Sequence, residues 1–140
     1  MKNLYIAFSD LCTTFLTPVV NLWARIYVGL IFWRSGLAKW DDMETTIELF
    51  DIEEDGEFAL PFLPAEPAAY LATAGEIILP ILLWLGLFTR VGAAGLFIMA
   101  AVIYFFVDAT PQPHLWMIIC ALLVAQGGHK LSVDNFLFKR

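Results

Sequence analysis

Apolar runs 15 to 22 residues long, separated by polar or proline-bearing segments, set the pattern of this chain. They cover residues 19–40, 68–88, 91–107 and 114–128. A hydrocarbon core of ~30 Å is crossed by about 20 residues of helix. The pattern therefore predicts an all-α membrane protein, a four-helix transmembrane bundle formed by a single domain over residues 1–140. Upstream of the first run, Leu4, Phe8, Leu11, Phe15 and Val19 recur at helical spacing, and Ser9, Asp10, Thr13 and Thr17 fall on another face. This spacing predicts an N-terminal interfacial amphipathic helix. Because polar residues interrupt the first twenty positions, they do not read as a signal peptide.

The breaks between runs differ in kind. Residues 41–67 form one substantial loop, in which Thr46-Ile47 and Leu49-Phe50 suggest a short interfacial helix and Leu60-Pro-Phe-Leu-Pro64 leans on the membrane. Thr89-Arg90 joins the second and third runs. Asp108 to Pro113, with two prolines, joins the third and fourth, and Gly127-Gly128 ends the last. Short connections make consecutive helices antiparallel neighbours. Gly92, Gly95, Ala93, Ala94, Ala100 and Ala101 give the third run small surfaces for close helix contact.

Composition agrees with this class. Hydrophobic residues make up 60% of the 140 positions and charged residues 16%, where soluble domains carry about a quarter charged. The net charge of −6 reflects mainly the loop: ten of the fourteen acids lie between Asp41 and Glu66, with no basic residue among them. That balance excludes a nucleic-acid partner, which needs a clustered basic face. The loop lacks the regular oxygen-ligand spacing of a calcium site. Lys2, Arg90, Lys130, Lys139 and Arg140 fall on one side of a four-span topology. By the positive-inside rule that side is the cytoplasm, so both termini are expected inside and the 41–67 loop outside.

Charged groups within a bilayer are costly and invite a partner or a function. Arg34 lies about 9 Å below the outer end of its run and Glu76 about 12 Å below the outer end of the next. Their similar depth predicts an Arg34–Glu76 ion pair. Lys39, Asp108 and His114 crowd the same half, so the five residues are expected to form an outward-facing polar pocket. Two roles stay open for it: ligand binding, or a structural pair with interfacial caps around it. One histidine with scattered carboxylates lacks metal-ligand spacing, so no metal site is expected. Arg25 lies nearer the inner end and is expected to snorkel there in a structural role. Cys12 and Cys120 are isolated. They exclude a four-helix thiol–disulfide oxidoreductase, which needs a redox cysteine pair. No haem-ligand, phosphate-loop or nucleophile–base set is present, and no catalytic residue is assigned.

Three strings in order resemble a known family, the DoxX-like small inner-membrane proteins. The first places Arg25, Gly29, Phe32, Gly36 and Lys39 at the spacing of that family's opening signature. The second is Glu76 followed by Leu85-Gly-Leu-Phe-Thr-Arg90, and the third is Gly127-Gly-His-Lys-Leu-Ser-Val-Asp134. Gly127-Gly-His departs from the family's usual Gly-Pro-Gly. Phe32-Trp-Arg-Ser-Gly-Leu, Thr45-Thr, Leu60-Pro-Phe-Leu-Pro64 and His114-Leu-Trp116 look like a bacterial subgroup encoded beside metal-stress peptide systems. The resemblance implies a four-helix protein of the bacterial inner membrane with cytoplasmic ends. Some relatives in such a family are linked to thiosulfate:quinone oxidoreduction and others to redox or metal-stress complexes.

Two functions follow as expectations. In the first, the chain is a subunit of a membrane redox or stress-response complex. It binds a quinone-like or small ligand, with Arg34 and Lys39 holding an anion or quinone oxygen and Glu76 and His114 handling protons. Quinone is the one cofactor this reading admits. Its partners are the lipid bilayer, other membrane or periplasmic subunits, and a second copy of the chain. In the second, the protein is a non-enzymatic accessory or scaffold for metal or oxidative stress. Transport has the weakest case, since no inverted repeat is apparent.

Overall fold

The computed structural model describes residues 2–51, 63–106 and 113–137. Within them the chain is helical and contains no strand. Helix α1 spans Lys2–Leu11, and a π-helical stretch, Cys12–Leu16, joins it to α2, Thr17–Asp41. After these come α3 (Met43–Phe50), α4 (Ala65–Leu85), α5 (Thr89–Phe106), α6 (Pro113–Gln126) and α7 (Val133–Leu137). Two helical segments, Asn3–Asp41 and Ala65–Leu85, are long and apolar enough to cross a membrane, while the apolar stretches in α5 and α6 are shorter. The expected connection containing Asp108 lies outside the described residues.

The N-terminal amphipathic helix is not a separate element. It runs into α2 as one helix of 39 residues, widened at Cys12–Leu16. Pro18 explains the widening. It has no N–H for the carbonyl of Thr14, and its ring crowds that carbonyl. The Thr17 backbone N–H and hydroxyl both reach back to the carbonyl of Cys12, the hydroxyl at 3.2 Å. The Thr13 hydroxyl donates to the Ser9 and Asp10 carbonyls at 3.1 Å each, a back-bonding habit that bends helices.

The long helices bury several polar residues beside the apolar core and expose many large apolar ones. Asn21, Arg25, Thr73, Glu76 and Thr89 are buried, whereas Val20, Trp23, Leu30, Leu71, Ile78 and Ile98 are exposed. In water such contiguous apolar exposure marks an interaction surface; in a bilayer it is the lipid face, and ionisable groups turn inward. On α2 the buried stripe is Asn21, Arg25, Val28, Gly29, Phe32 and Gly36, spaced as one helical face.

Close approach of α2 and α4 sets the packing. A Cβ added at Gly36 would lie 2.9 Å from the Glu76 Cβ, and one added at Gly29 would collide with the Trp84 indole. With Arg25 beside Leu83 and Gly86, these pairs define an antiparallel register. Helix α5 returns along α4 with Gly95 against Leu79. Helix α6 packs on α5 and back onto α2, so the four helices close around Val28, Phe32, Leu83, Ala93, Leu96, Ala100, Cys120 and Leu123. Ring contacts between Phe32 and Trp116 (5.8 Å) and between Trp33 and Trp84 (5.4 Å) supplement it.

The turn between α4 and α5 differs from expectation. Helix α4 starts at Ala65 and stops at Leu85, three residues before the expected end, and Thr89-Arg90 open α5 rather than link the helices. Gly86 ends α4 at φ +67°, a left-handed C-terminal cap. Phe88 follows at φ +49°. The Asp134 carboxylate holds this strained turn, accepting the Phe88 N–H at 2.7 Å and the Thr89 N–H at 2.8 Å. It thereby supplies the N-terminal cap of α5 from the far end of the chain. By contrast, Gly127 at φ +74° ends α6 where the glycine pair was expected to.

The crowding around Gly86 gives a direct test. Gly86→Ala imposes a positive φ on a residue with a Cβ and drives that Cβ toward Arg25 and Ser132. Thermal unfolding of the detergent-solubilised protein is expected to show a loss of about 1–3 kcal/mol.

Candidate functional site

Of the five residues expected to gather in one pocket, the structure brings together Lys39 and Glu76. Lys39 Nζ lies 2.5 Å from Glu76 Oε1. Glu76 is 1% exposed and Lys39 retains 25% exposure. Arg34 is exposed and does not pair with Glu76. His114 is exposed at the start of α6, and Asp108 lies outside the described residues.

The reason Lys39 replaces Arg34 is angular. At about 100° per residue, Lys39 falls close to the buried stripe of Arg25, Phe32 and Gly36, whereas Arg34 lies roughly 170° from the centre of that stripe. Depth alone had matched Arg34 to Glu76; azimuth separates them. Side-chain direction completes the match. Side chains lean toward the N-terminus of their helix, so Lys39 leans back toward Gly36 while Glu76, on an antiparallel helix, leans toward Lys39. Gly36 lets the two backbones come near enough for the charges to meet.

Helix α3 holds this end of α2. Asp42 caps it, its side chain accepting the Thr45 N–H at 3.1 Å. The buried Thr46 hydroxyl reaches the carbonyls of Asp42 (2.8 Å) and Lys39 (3.3 Å). This short helix is the one expected around Thr46-Ile47 and Leu49-Phe50, and it packs on α4. Lys39 also lies in the last turn of α2, where a cation is favoured by the helix dipole. Glu76 Oε2 has no partner among the described residues, although it is buried. A buried carboxylate oxygen without a donor is uncommon. It is an open acceptor beside an ammonium group that reaches solvent.

A second polar cluster occupies the opposite end of the bundle. Arg25 is fully buried rather than snorkelling. Its guanidinium donates to the Leu83 carbonyl at 3.3 Å and to the Leu131 carbonyl at 2.5 Å. Asn21 donates to Gln126 Oε1 at 3.3 Å and to the Gly127 carbonyl at 3.0 Å. The Asp134 N–H donates to the Gly86 carbonyl at 2.9 Å. The C-terminal segment is thus tied to α2, α4 and the α4–α5 turn, a job sequence reasoning did not assign to Asn21, Thr89 or Asp134. The signal available was the closing string ending in Asp134, which lies too far along the chain for local spacing to connect it with Phe88. Among the described residues no group of three or more His, Cys, Asp or Glu side chains is placed to hold a metal.

Comparison with known proteins places this geometry in context. The family model described as DoxX matches residues 20–109, a range that contains Arg25, Lys39 and Glu76. A Haemophilus influenzae protein described as uncharacterized is 29% identical over 127 residues, covering 82% of this chain and 81% of the relative. A Bacillus subtilis protein named "Putative oxidoreductase CatD" is 30% identical over 126 residues, covering 85% of this chain and 87% of the relative. No solved structure matches the chain at a significant level.

The ion pair makes a quantitative prediction. Lys39→Met strands a buried carboxylate and is expected to cost about 2–3 kcal/mol, below the fully buried case because Lys39 is partly exposed. Lys39→Met with Glu76→Gln is expected to recover most of that loss, and Arg34→Gln to stay within about 0.5 kcal/mol of wild type. A double-mutant cycle on chemical unfolding in detergent checks all three. Equal losses at Arg34 and Lys39 would contradict the pairing.

Proposed function

The chain belongs to the DoxX family, and on that premise we propose that it is a four-span bacterial inner-membrane subunit of a redox or stress-response complex. In this reading α2, α4, α5 and α6 cross the bilayer with both termini in the cytoplasm, and α1 lies along the inner interface. The basic residues Lys2, Arg90 and Lys130 support the orientation. The Lys39 end then opens to the periplasm, where a polar pocket takes a quinone-like or other small ligand. Further membrane or periplasmic subunits and a second copy of the chain are its proposed partners.

The observation that carries the ligand reading is the unpartnered, buried Oε2 of Glu76 next to Lys39. A quinone offers a carbonyl oxygen to the Lys39 ammonium. In the reduced form the same oxygen offers a hydroxyl hydrogen to the carboxylate, so one ring oxygen finds a partner in this pair in either redox state. Arg34 takes no part at the pair itself. The name of the Bacillus subtilis relative supports redox chemistry at the level of the family.

A scaffold role is the second reading. It is favoured by the exposed Leu4, Phe8, Leu11 and Phe15 on the N-terminal helix, a face that suits a partner helix as well as lipid. Here the Lys39–Glu76 pair only links α2 to α4.

Two measurements decide. Protein purified in mild detergent is expected to retain quinone by extraction and mass spectrometry, and Glu76→Gln to lower retention about tenfold, the worth of one charge-assisted bond. Quinone-free protein that binds none on titration would remove the ligand reading and leave the scaffold. A reporter active only in the cytoplasm, fused after Arg140, is expected to be active; inactivity would reverse the orientation.

A further inference from the structure

The end of the bundle opposite Lys39 holds an open, shallow cavity of about 590 Å³ between the α4–α5 turn, the end of α6 and α7. That is the size of a small-molecule site. Arg90, His129, Asp134 and Asn135 line it, with Phe88 and Val91 beside them. Charges of both signs therefore share one wall. Among the described residues Arg90 makes one long contact, from Nη2 to the Ala125 carbonyl at 3.4 Å, which leaves most of its N–H donors for a ligand. Asp134 accepts one backbone N–H per oxygen and faces the charge of Arg25, but keeps acceptor capacity on both oxygens. His129 is held at φ +53°, a conformation rare outside glycine that brings its half-buried side chain to the same wall.

The position of the cavity narrows the ligand. It lies where α5 starts, and Val91, 62% exposed, begins the lipid-facing side of that helix. If α5 enters the bilayer here, the cavity sits at headgroup depth with an apolar strip leading away from it. A guanidinium presents parallel N–H groups to a phosphate, and the Asp134 carboxylate lining the same cavity suits a primary ammonium. We propose that this cavity binds the headgroup of a zwitterionic amino-phospholipid, phosphate on Arg90 and ammonium on Asp134, with the acyl chains running over Val91. The assignment rests on the membrane placement above and is independent of any ligand at Glu76.

Native mass spectrometry of the full chain in detergent, with equimolar phosphatidylethanolamine, phosphatidylcholine and phosphatidylglycerol, tests it. Phosphatidylethanolamine is expected to be retained over both others. The choline headgroup cannot donate a hydrogen bond to Asp134, and the glycerol headgroup carries no cation. Arg90→Gln is expected to lower that retention about tenfold, and Arg90→Lys to keep more of it than Arg90→Gln. Arg90 is exposed, so both variants should fold; wild-type lipid preference remains a readout if one does not. Equal retention of the three lipids, or unchanged retention in Arg90→Gln, would overturn the proposal. So would displacement of the lipid by equimolar glycerophosphoethanolamine, which would assign the cavity to a soluble phosphate ester. Retention of phosphatidylethanolamine by protein that binds no quinone would leave this site standing while the Glu76 reading fell.

Discussion

Close contact between α2 and α4 is the constraint on which the remaining geometry depends. At Gly36 the α4 backbone around Glu76 comes too near for a side chain, and at Gly29 the Trp84 indole fills the space a side chain would need. That approach fixes an antiparallel register along both helices at once. One end of the register sets Lys39 against Glu76, and the other sets Arg25 under Leu83 and Gly86. In an apolar surrounding, helices gain little from hydrophobicity and associate through close packing and a few polar contacts. The small residues supply the first and the charged pair the second.

The polar groups within the bundle obey the same logic. An unpaired charge there costs several kcal/mol, so the buried charged groups are drawn to partners on other elements. Glu76 takes Lys39, Arg25 takes two backbone carbonyls, and Asn21 takes Gln126 and Gly127. The C-terminal segment is recruited for this purpose. Its Asp134 caps α5, its Leu131 carbonyl receives Arg25, and its backbone closes on Gly86. The Arg25 end is tied down by these bonds, yet Asn21 Oδ1, Arg25 Nε and Thr89 Oγ1 stay buried there without a partner among the described residues. At the Lys39 end one buried carboxylate oxygen is left open. Both ends therefore keep buried hydrogen-bonding capacity that the described residues do not use.

Membership of the DoxX family accounts for the membrane character. The chemistry has to come from the site itself, because one fold hosts many functions. Here the site consists of one ion pair, a buried Glu76 with a partly exposed Lys39, with an acceptor oxygen left open. A partner or bound cofactor would supply any electrons.

Much of the architecture was legible along the chain because it depends on local composition. Apolar runs, prolines and glycine pairs locate the helices and the end of α6, and the Thr46–Phe50 region marks α3. Lys39 and Glu76 were likewise visible as charges in apolar runs. Which cation meets Glu76 was not, since Arg34 and Lys39 differ chiefly in the direction they face, and that has meaning only once a neighbouring helix is placed. The same holds for Arg25, whose burial depends on a segment about a hundred residues away folding over it, and for the turn at Gly86, which a distant carboxylate stabilises. Sequence by itself determined that this is a helical membrane chain with few internal charges. Only the tertiary structure decided how those charges pair, because pairing is a matter of azimuth and register between helices, and neither is encoded in the spacing of a single one.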